Sequence, residues 1–397
     1  MKNPAELRRR SVLRGGLLGA GVLAAGPVLW SLPGHAAGGD FHHLGSLSTP
    51  DANGLRLPNG FTSRIVARSG HAPVNGDQYL WHGAPDGGAV FEIADGGWIY
   101  VSNSELNRSR GGVGALRFDA DGMVINAYPI LSGTMRNCAG GGMPWGTWLS
   151  CEEIAKGLVW ECDPFGREPA VALPALGRFK HEAVAFNPAT GQLYLTEDEK
   201  TGLFYRFTPD RIGSDGRPDL SSGRLEAAEV LDSESREVVW HEIADPAAAE
   251  LPTRKQTHGK ATVFNRGEGI CHHRGNIYFT TTGDNRVWRY DPSARRVGVI
   301  YDAGEHAQPL LSGVDNVTAS DSGGILVAED GGRMRIVAVG EDGKATPIIQ
   351  VVGHDFSEVT GPAFSSDGKR LYFSSQRGST GESRDGITFE VAGPFPV

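Results

Sequence analysis

Residues 181–198 read HEAVAFNPATGQLYLTED. Two short runs of alternating apolar and polar residues flank Asn187-Pro188-Ala189-Thr190-Gly191, whose composition is that of a tight turn, so the stretch forms a β-hairpin. The first residue of one hairpin strand lies beside the last residue of the next, which brings Glu182 and Glu197 to one end. The same device recurs along the chain. Asp315 pairs with Glu329 in DNVTASDSGGILVAED, and Glu268 opens EGICHHRGNIYFTTT, whose return strand ends on Thr281 and Thr282. Cys138 and Glu152 frame a less regular copy.

Counting outward from these copies gives six strand–turn–strand units, at residues 90–105, 138–152, 182–197, 268–282, 315–329 and 360–376. Several are followed by a second hairpin, such as GALRFDADGMVINAYPIL at 114–131 and MRIVAVGEDGKATPIIQVV at 334–352. Two hairpins make a four-stranded antiparallel unit, and such units around an axis make a propeller. The expected fold is an all-β, six-bladed β-propeller over residues 38–397. A polar insertion at about 209–267 either covers the mouth or extends the outer strands of one blade. Residues 38–55 pack along the outside or close the ring with a strand. Helical periodicity is nearly absent; residues 245–250 offer at most a short helix.

The first 37 residues are expected to lie outside this fold. Arg9-Arg10-Ser11-Val12-Leu13-Arg14 is a twin-arginine signal, followed by an uncharged run at 15–32 and an Ala-rich exit cleaved after Ala36 or Ala37. This implies the twin-arginine export machinery as a partner and a periplasmic or secreted product with no membrane attachment after cleavage. The formal charge of −9 falls to −13 in the mature chain, because five basic residues and one acid are lost. That balance disfavours nucleic acid and anionic lipid and suits calcium. Glycine, at 56 of 397 residues, marks many turns. Four cysteines do not make a disulfide framework in a chain this size; a single bridge, Cys151 to Cys162, is compatible with an oxidising compartment. The expected state is a monomer.

If the hairpins are radial, Glu105, Cys138, Glu152, Glu182, Glu197, Glu268, Asp315, Asn316 and Glu329 converge on the axis. Carboxylates crowded there repel one another unless cations neutralise them. Calcium takes six to eight oxygen ligands, and a thiolate among them suits a transition metal such as iron. The plainer reading is that these acids cap turns or pair with Arg178, Arg206, Arg289 and Arg333 on a solvated rim. One acid alone favours the plainer reading; recurrence at one phase of the repeat favours metal. In Asn137-Cys138-Ala139-Gly140-Gly141 the paired glycines let backbone approach a bound group closely. His181 and the pair His272-His273 are expected at the surface. No helix follows the glycine-rich stretches, as a phosphate loop requires, and no GxSxG elbow occurs.

Five segments together resemble the PhoX-type alkaline phosphatase family, secreted bacterial enzymes with twin-arginine signals, in a compact branch. They are NCAGGGMPWGTWLSCEE (137–153), FKHEAVAFNPATGQLYLTEDEKTGLFYRFTPD (179–210), GEGICHHRGNIYFTTTGDNRVWRY (267–290), VDNVTASDSGGILVAEDGG (314–332) and VTGPAFSSDGKRLYFSSQ (359–376). The resemblance implies a six-bladed propeller holding ferric iron and calcium near its axis and hydrolysing phosphate monoesters. It makes Cys138 the iron-ligating thiolate and Glu152, Glu182, Glu268 and Glu329 carboxylate ligands, with Asp315 and Asn316 at the equivalent position of the next blade. Lys180 or Arg333 would face the phosphorylated substrate. Two positions depart from the family pattern: Asn103-Ser104-Glu105 stands where the family has Asn-His-Glu, and Ile154 where Asn is common. The competing readings are a calcium-dependent lactonase or phosphotriesterase on the same fold, and a non-catalytic binding propeller stapled by calcium.

Overall fold

Short amphipathic strands separated by glycine turns bury their apolar faces only by stacking sheet on sheet. The computed structural model, which describes residues 41–396, contains six antiparallel sheets of four or five strands. Each begins with an innermost strand: Pro85–Glu92, Asn137–Gly142, His181–Asn187, Gly267–His273, Val314–Ala319 and Val359–Phe364. Three further strands follow outward in chain order in the first five sheets, and a fourth in the third. The sixth is completed from the other end of the chain, where Thr62–Arg68 pairs with Ile387–Ala392. Leu55–Arg56 adds a fifth strand to the fifth blade by pairing with Val351 and Gln350. The chain is therefore the six-bladed propeller expected; Thr62–Arg68 closes the ring, while the segment ending at Leu55 packs at the outer edge of the fifth blade.

The core lies between blades. Phe204 of the third blade stacks on Phe279 of the fourth at 4.5 Å, with Tyr194, Tyr290, Phe264 and Trp240 around them. A second cluster joins Leu326 and Ile336 of the fifth blade to Phe373 and Phe389 of the sixth. Each such side chain contributes about 1.5–3 kcal/mol by leaving water.

Polar ties near the axis fasten five of the six blade junctions. Asn103 Nδ2 donates to the Cys138 and Ala139 carbonyls at 3.1 and 2.8 Å. Thr196 and Thr280 donate to the carbonyls of Glu268 and Asp315, and Thr360 donates to that of Pro85. Asn316 Oδ1 accepts from the Gly361 backbone N–H.

Of the two roles open for the insertion, the structure shows extension of a blade. Gly223–Val230 and Val238–Glu242 are the fourth and fifth strands of the third blade. The chain then crosses over the end of that same blade. The Tyr205 hydroxyl lies 3.4 Å from Thr253 Oγ1, Arg254 pairs with Glu197 at 3.0 Å, and the Thr262 and Phe264 amides donate to Ala228 and Gly202.

The Cys151–Cys162 bridge that an oxidising compartment would allow does not form; all four cysteines are free. Cys162 stands opposite Trp148 and Cys151 opposite Val159, which holds the two thiols three residues apart along adjacent strands. The twin-arginine segment lies outside the described residues. No helix among the described residues is long and apolar enough to cross a membrane.

Candidate metal centre

One local irregularity builds the site. In every blade the register of the innermost strand against its neighbour shifts by one residue near its start, as between Pro85 and Gly88, Asn137 and Gly140, His181 and Val184, and Gly267 and Ile270. The fifth and sixth blades shift at Val314/Val317 and Thr360/Ala363. Such a bulge places an extra residue on one strand and re-aims its side chain. The residues at that point are Asp86, Cys138, Glu182, Glu268, Asp315 and Thr360, one per blade.

A second set comes from the residue after each return strand: Glu105, Glu153, Asp198, Thr282, Asp330 and Gln376. The backbone N–H of each donates to the residue two before the bulged position, respectively Ala84, Arg136, Lys180, Arg266, Gly313 and Glu358, at 2.7–3.2 Å. Arg136 and Arg266 hold left-handed backbone, φ +49° and +56°, which turns the chain sharply into the inner strand.

Seven of these residues, with Glu358 of the sixth blade, form three groups, each with its potential ligand atoms within 4.8 Å of one another: Cys138, Glu153 and Glu182; Glu182, Glu268 and Asp315; and Asp86, Glu105 and Glu358. Glu182 belongs to two of them, and Cys138 Sγ lies 3.8 Å from Asp86 Oδ2, so the groups are contiguous. Four cations sit among them. Arg136 reaches Glu105 and Glu153, both at 2.7 Å. Lys180 reaches Glu153 at 2.9 Å and Asp198 at 3.3 Å. Arg266 reaches Asp198 at 2.8 Å and Glu268 at 3.0 Å, and Arg377 reaches Glu358 at 2.9 Å.

The acids outnumber the bases. Burial, with Glu268 and Asp315 nearby, pushes the Glu182 carboxyl well above the usual range. Burial and Glu105 do the same to Asp86, burial and Glu268 to Asp315, and burial and Asp330 to Glu358. Glu153 is pushed up to about 8 by burial and Glu105, with Lys180 and Arg136 opposing. The Cys138 thiol is raised by burial and by Asp86. Glu182 is 1% exposed, and its Oε1 has no hydrogen-bond donor. A buried carboxylate oxygen without a donor is costly unless a cation meets it.

The structure brings some of the residues expected on the axis together and holds others apart. Cys138, Glu182, Glu268 and Asp315 come together, and Lys180 stands among them. Glu152, Glu197 and Glu329 are in none of the three groups. Glu152 accepts from the Met135 and Leu158 amides and Trp160 Nε1. Glu197 accepts from the Leu203 amide, Tyr205 and Arg254. Glu329 accepts from the Ser312 and Arg335 amides and pairs with Arg335 at 2.7 Å. These three meet amide, indole, phenol and guanidinium donors instead of one another.

Asn316 donates to its own Asp315 Oδ1 at 3.0 Å. Arg333 is exposed and takes no part in the ion pairs of the ring. His181, expected at the surface, is fully buried, stacking on Phe179 at 3.6 Å. His272 lines a cavity of about 530 Å³ among the turn ends of the inner strands, with Phe91, Phe186 and Phe364. Asp86, Glu153, Asp198, Asp330, Glu358 and the arginines 136, 266 and 377 were missed; the acid doublets at 152–153, 197–198 and 329–330 carried the signal for three of them.

The model of the alkaline phosphatase PhoX family matches residues 59–162 and 155–378, most of the chain and all six innermost strands. The chain belongs to the alkaline phosphatase PhoX family. Membership makes it a metal-dependent phosphomonoesterase. Among solved structures, Pseudomonas fluorescens PhoX, in complex with the transition-state analogue vanadate, matches with a TM-score of 0.71 at 18% identity, over 87% of this chain and 97% of that one. A protein of unknown function from Bacteroides thetaiotaomicron matches with a TM-score of 0.52 at 9% identity, over 84% and 76% of the two chains. At these identities the likeness is one of fold. No curated protein matches the chain. In this PhoX-family chain Asn103, beside the departing Ser104, is structural: its Oδ1 accepts from Trp148 and Ser150.

Proposed function

We propose that this PhoX-family protein hydrolyses phosphate monoesters at the axial ring, with ferric iron held through Cys138 and calcium held by the carboxylates. The observation that carries the reading is Glu182, buried, lacking a donor on one oxygen and shared by two groups of potential ligands. The donor set fits both ions. Glu182, Glu268, Asp315, Asp86, Glu105 and Glu358 offer the hard oxygens calcium takes. Cys138, with Glu153 and Glu182 beside it, offers a thiolate that calcium does not favour and iron does. Bound cations supply positive charge to the phosphoryl oxygens as the bond to the leaving group breaks.

The chain's own contribution is placement. The bulges bring Asp86, Cys138, Glu182, Glu268 and Asp315, from five blades, into contiguous groups. Arg136, Lys180, Arg266 and Arg377 orient the carboxylates and offer N–H donors to a phosphoryl dianion. Lys180, inside the ring, is the better placed of the two bases expected to face the leaving group. The Arg9-Arg10 signal supports export to the periplasm or beyond. Three groups and a thiol favour more than one cation, and so the phosphatase over a lactonase working with a single calcium.

Hydrolysis of p-nitrophenyl phosphate by the metal-loaded protein tests the reading. Cys138→Ala and Glu182→Gln should each lower the rate by about two orders of magnitude or more while leaving the fold intact. Rates near those of the unsubstituted protein would remove both residues from the site.

A further inference from the structure

Phe356 is the most exposed of the large apolar side chains among the described residues, at 77%. A lone exposed apolar residue is ordinary; the place of this one is not. It stands two residues before Glu358, the carboxylate that the sixth blade adds to the ring. The segment bearing it is fixed from several sides. The Arg377 amide donates to Ser357 Oγ at 2.8 Å, His354 Nδ1 meets Ser375 Oγ at 2.8 Å, and Arg377 pairs with Glu358 at 2.9 Å.

The neighbouring loop buttresses it. The Gly381 amide donates to the Arg377 carbonyl at 3.0 Å, and the Asp385 carboxylate accepts from the Thr380 amide at 3.0 Å. Gly381 has φ +77°, and a Cβ there would lie 2.8 Å from Phe356 Cβ. Backbone thus abuts the base of Phe356, while its ring stays in solvent, two residues along the chain from the charged ring that Glu358 joins.

A phosphate monoester has two unlike halves. The dianion belongs among the cations of the ring, and the organic group must then face outward past the rim. We propose that Phe356 is a specificity-determining platform that stacks the flat aromatic group of aryl and nucleoside phosphates, favouring them over esters of small polyols. The proposal rests on the phosphatase reading. A rigid aromatic face suits such a group because stacking is gained with little ordering of the protein, whereas glycerol offers no flat face to it.

The test compares kcat/KM for 1-naphthyl phosphate and glycerol 2-phosphate in the metal-loaded protein, Phe356→Ala and Phe356→Trp. Alanine should lower the naphthyl value about tenfold, chiefly through KM. It should leave the glycerol value within about twofold and the melting temperature unchanged, and tryptophan should restore the preference. Equal losses on both esters, or no change in their ratio, would overturn the platform while the phosphatase reading stood. Failure of the unsubstituted protein to hydrolyse either ester would overturn both.

Discussion

Consecutive residues at the end of a strand point to opposite sides, and that parity divides the labour of each acid doublet. Glu152 closes its own blade with three accepted hydrogen bonds, while Glu153 joins Cys138 and Glu182. Two substitutions separate these roles. Glu152→Ala strands buried donors and should destabilise the fold by about 2–4 kcal/mol, read from the denaturant midpoint. Glu153→Gln should leave stability nearly unchanged but reduce metal uptake and phosphatase activity. Arg335 belongs with the first class. It is 5% exposed and pairs with the fully buried Glu329, so Arg335→Ala should cost about 3–5 kcal/mol by leaving a buried charge alone. The repeat made the acids legible in the sequence, but not the choice within a doublet. An offset of one residue reverses which side chain meets the axis, and nothing in hairpin spacing sets that offset when a bulge intervenes.

At the scale of the strand, the bulge carries the chemistry and the glycines beside it set how closely the inner strands approach. Gly361, at φ +59°, would bring a Cβ within 2.6 Å of the Asp86 carbonyl and 3.1 Å of Gly87 Cα. Gly361→Ala should therefore destabilise the protein by about 1–3 kcal/mol and loosen the junction between the sixth and first blades; thermal unfolding would measure it. Six hairpins with their turns were readable because alternation and glycine turns are local signals. The start of the first inner strand was not. Asp86-Gly87-Gly88 has the composition of a turn, so the expected strand began at Val90 and passed over Asp86, although the segment is a bulged strand whose partner lies fourteen or more residues on. Arg136, Arg266 and Arg377 stayed hidden because only the closed ring brings them to the acids.

Across the whole molecule, the ring is a store of excess negative charge that metal-free protein can relieve only by holding protons. Asp86, Glu153, Glu182, Glu268, Asp315 and Glu358 all have carboxyls raised on folding. The folded state then binds more protons than the unfolded one, and stability falls as pH rises. The fall should begin near the ordinary glutamate value of about 4.3 and extend to about 8, where Glu153 titrates. Chelator-treated protein should accordingly melt at progressively lower temperature across that window, and calcium should restore stability most at its alkaline end, where the ligands are free of protons. The central claim is that carboxylates from five blades and the Cys138 thiol are held together by bound cations. Elemental analysis of exported, purified protein tests it most directly: iron together with more than one calcium per chain is expected, with iron lost from Cys138→Ser and calcium reduced in Glu182→Gln. Protein that retains neither metal, or both substituted forms keeping the full complement, would contradict the account.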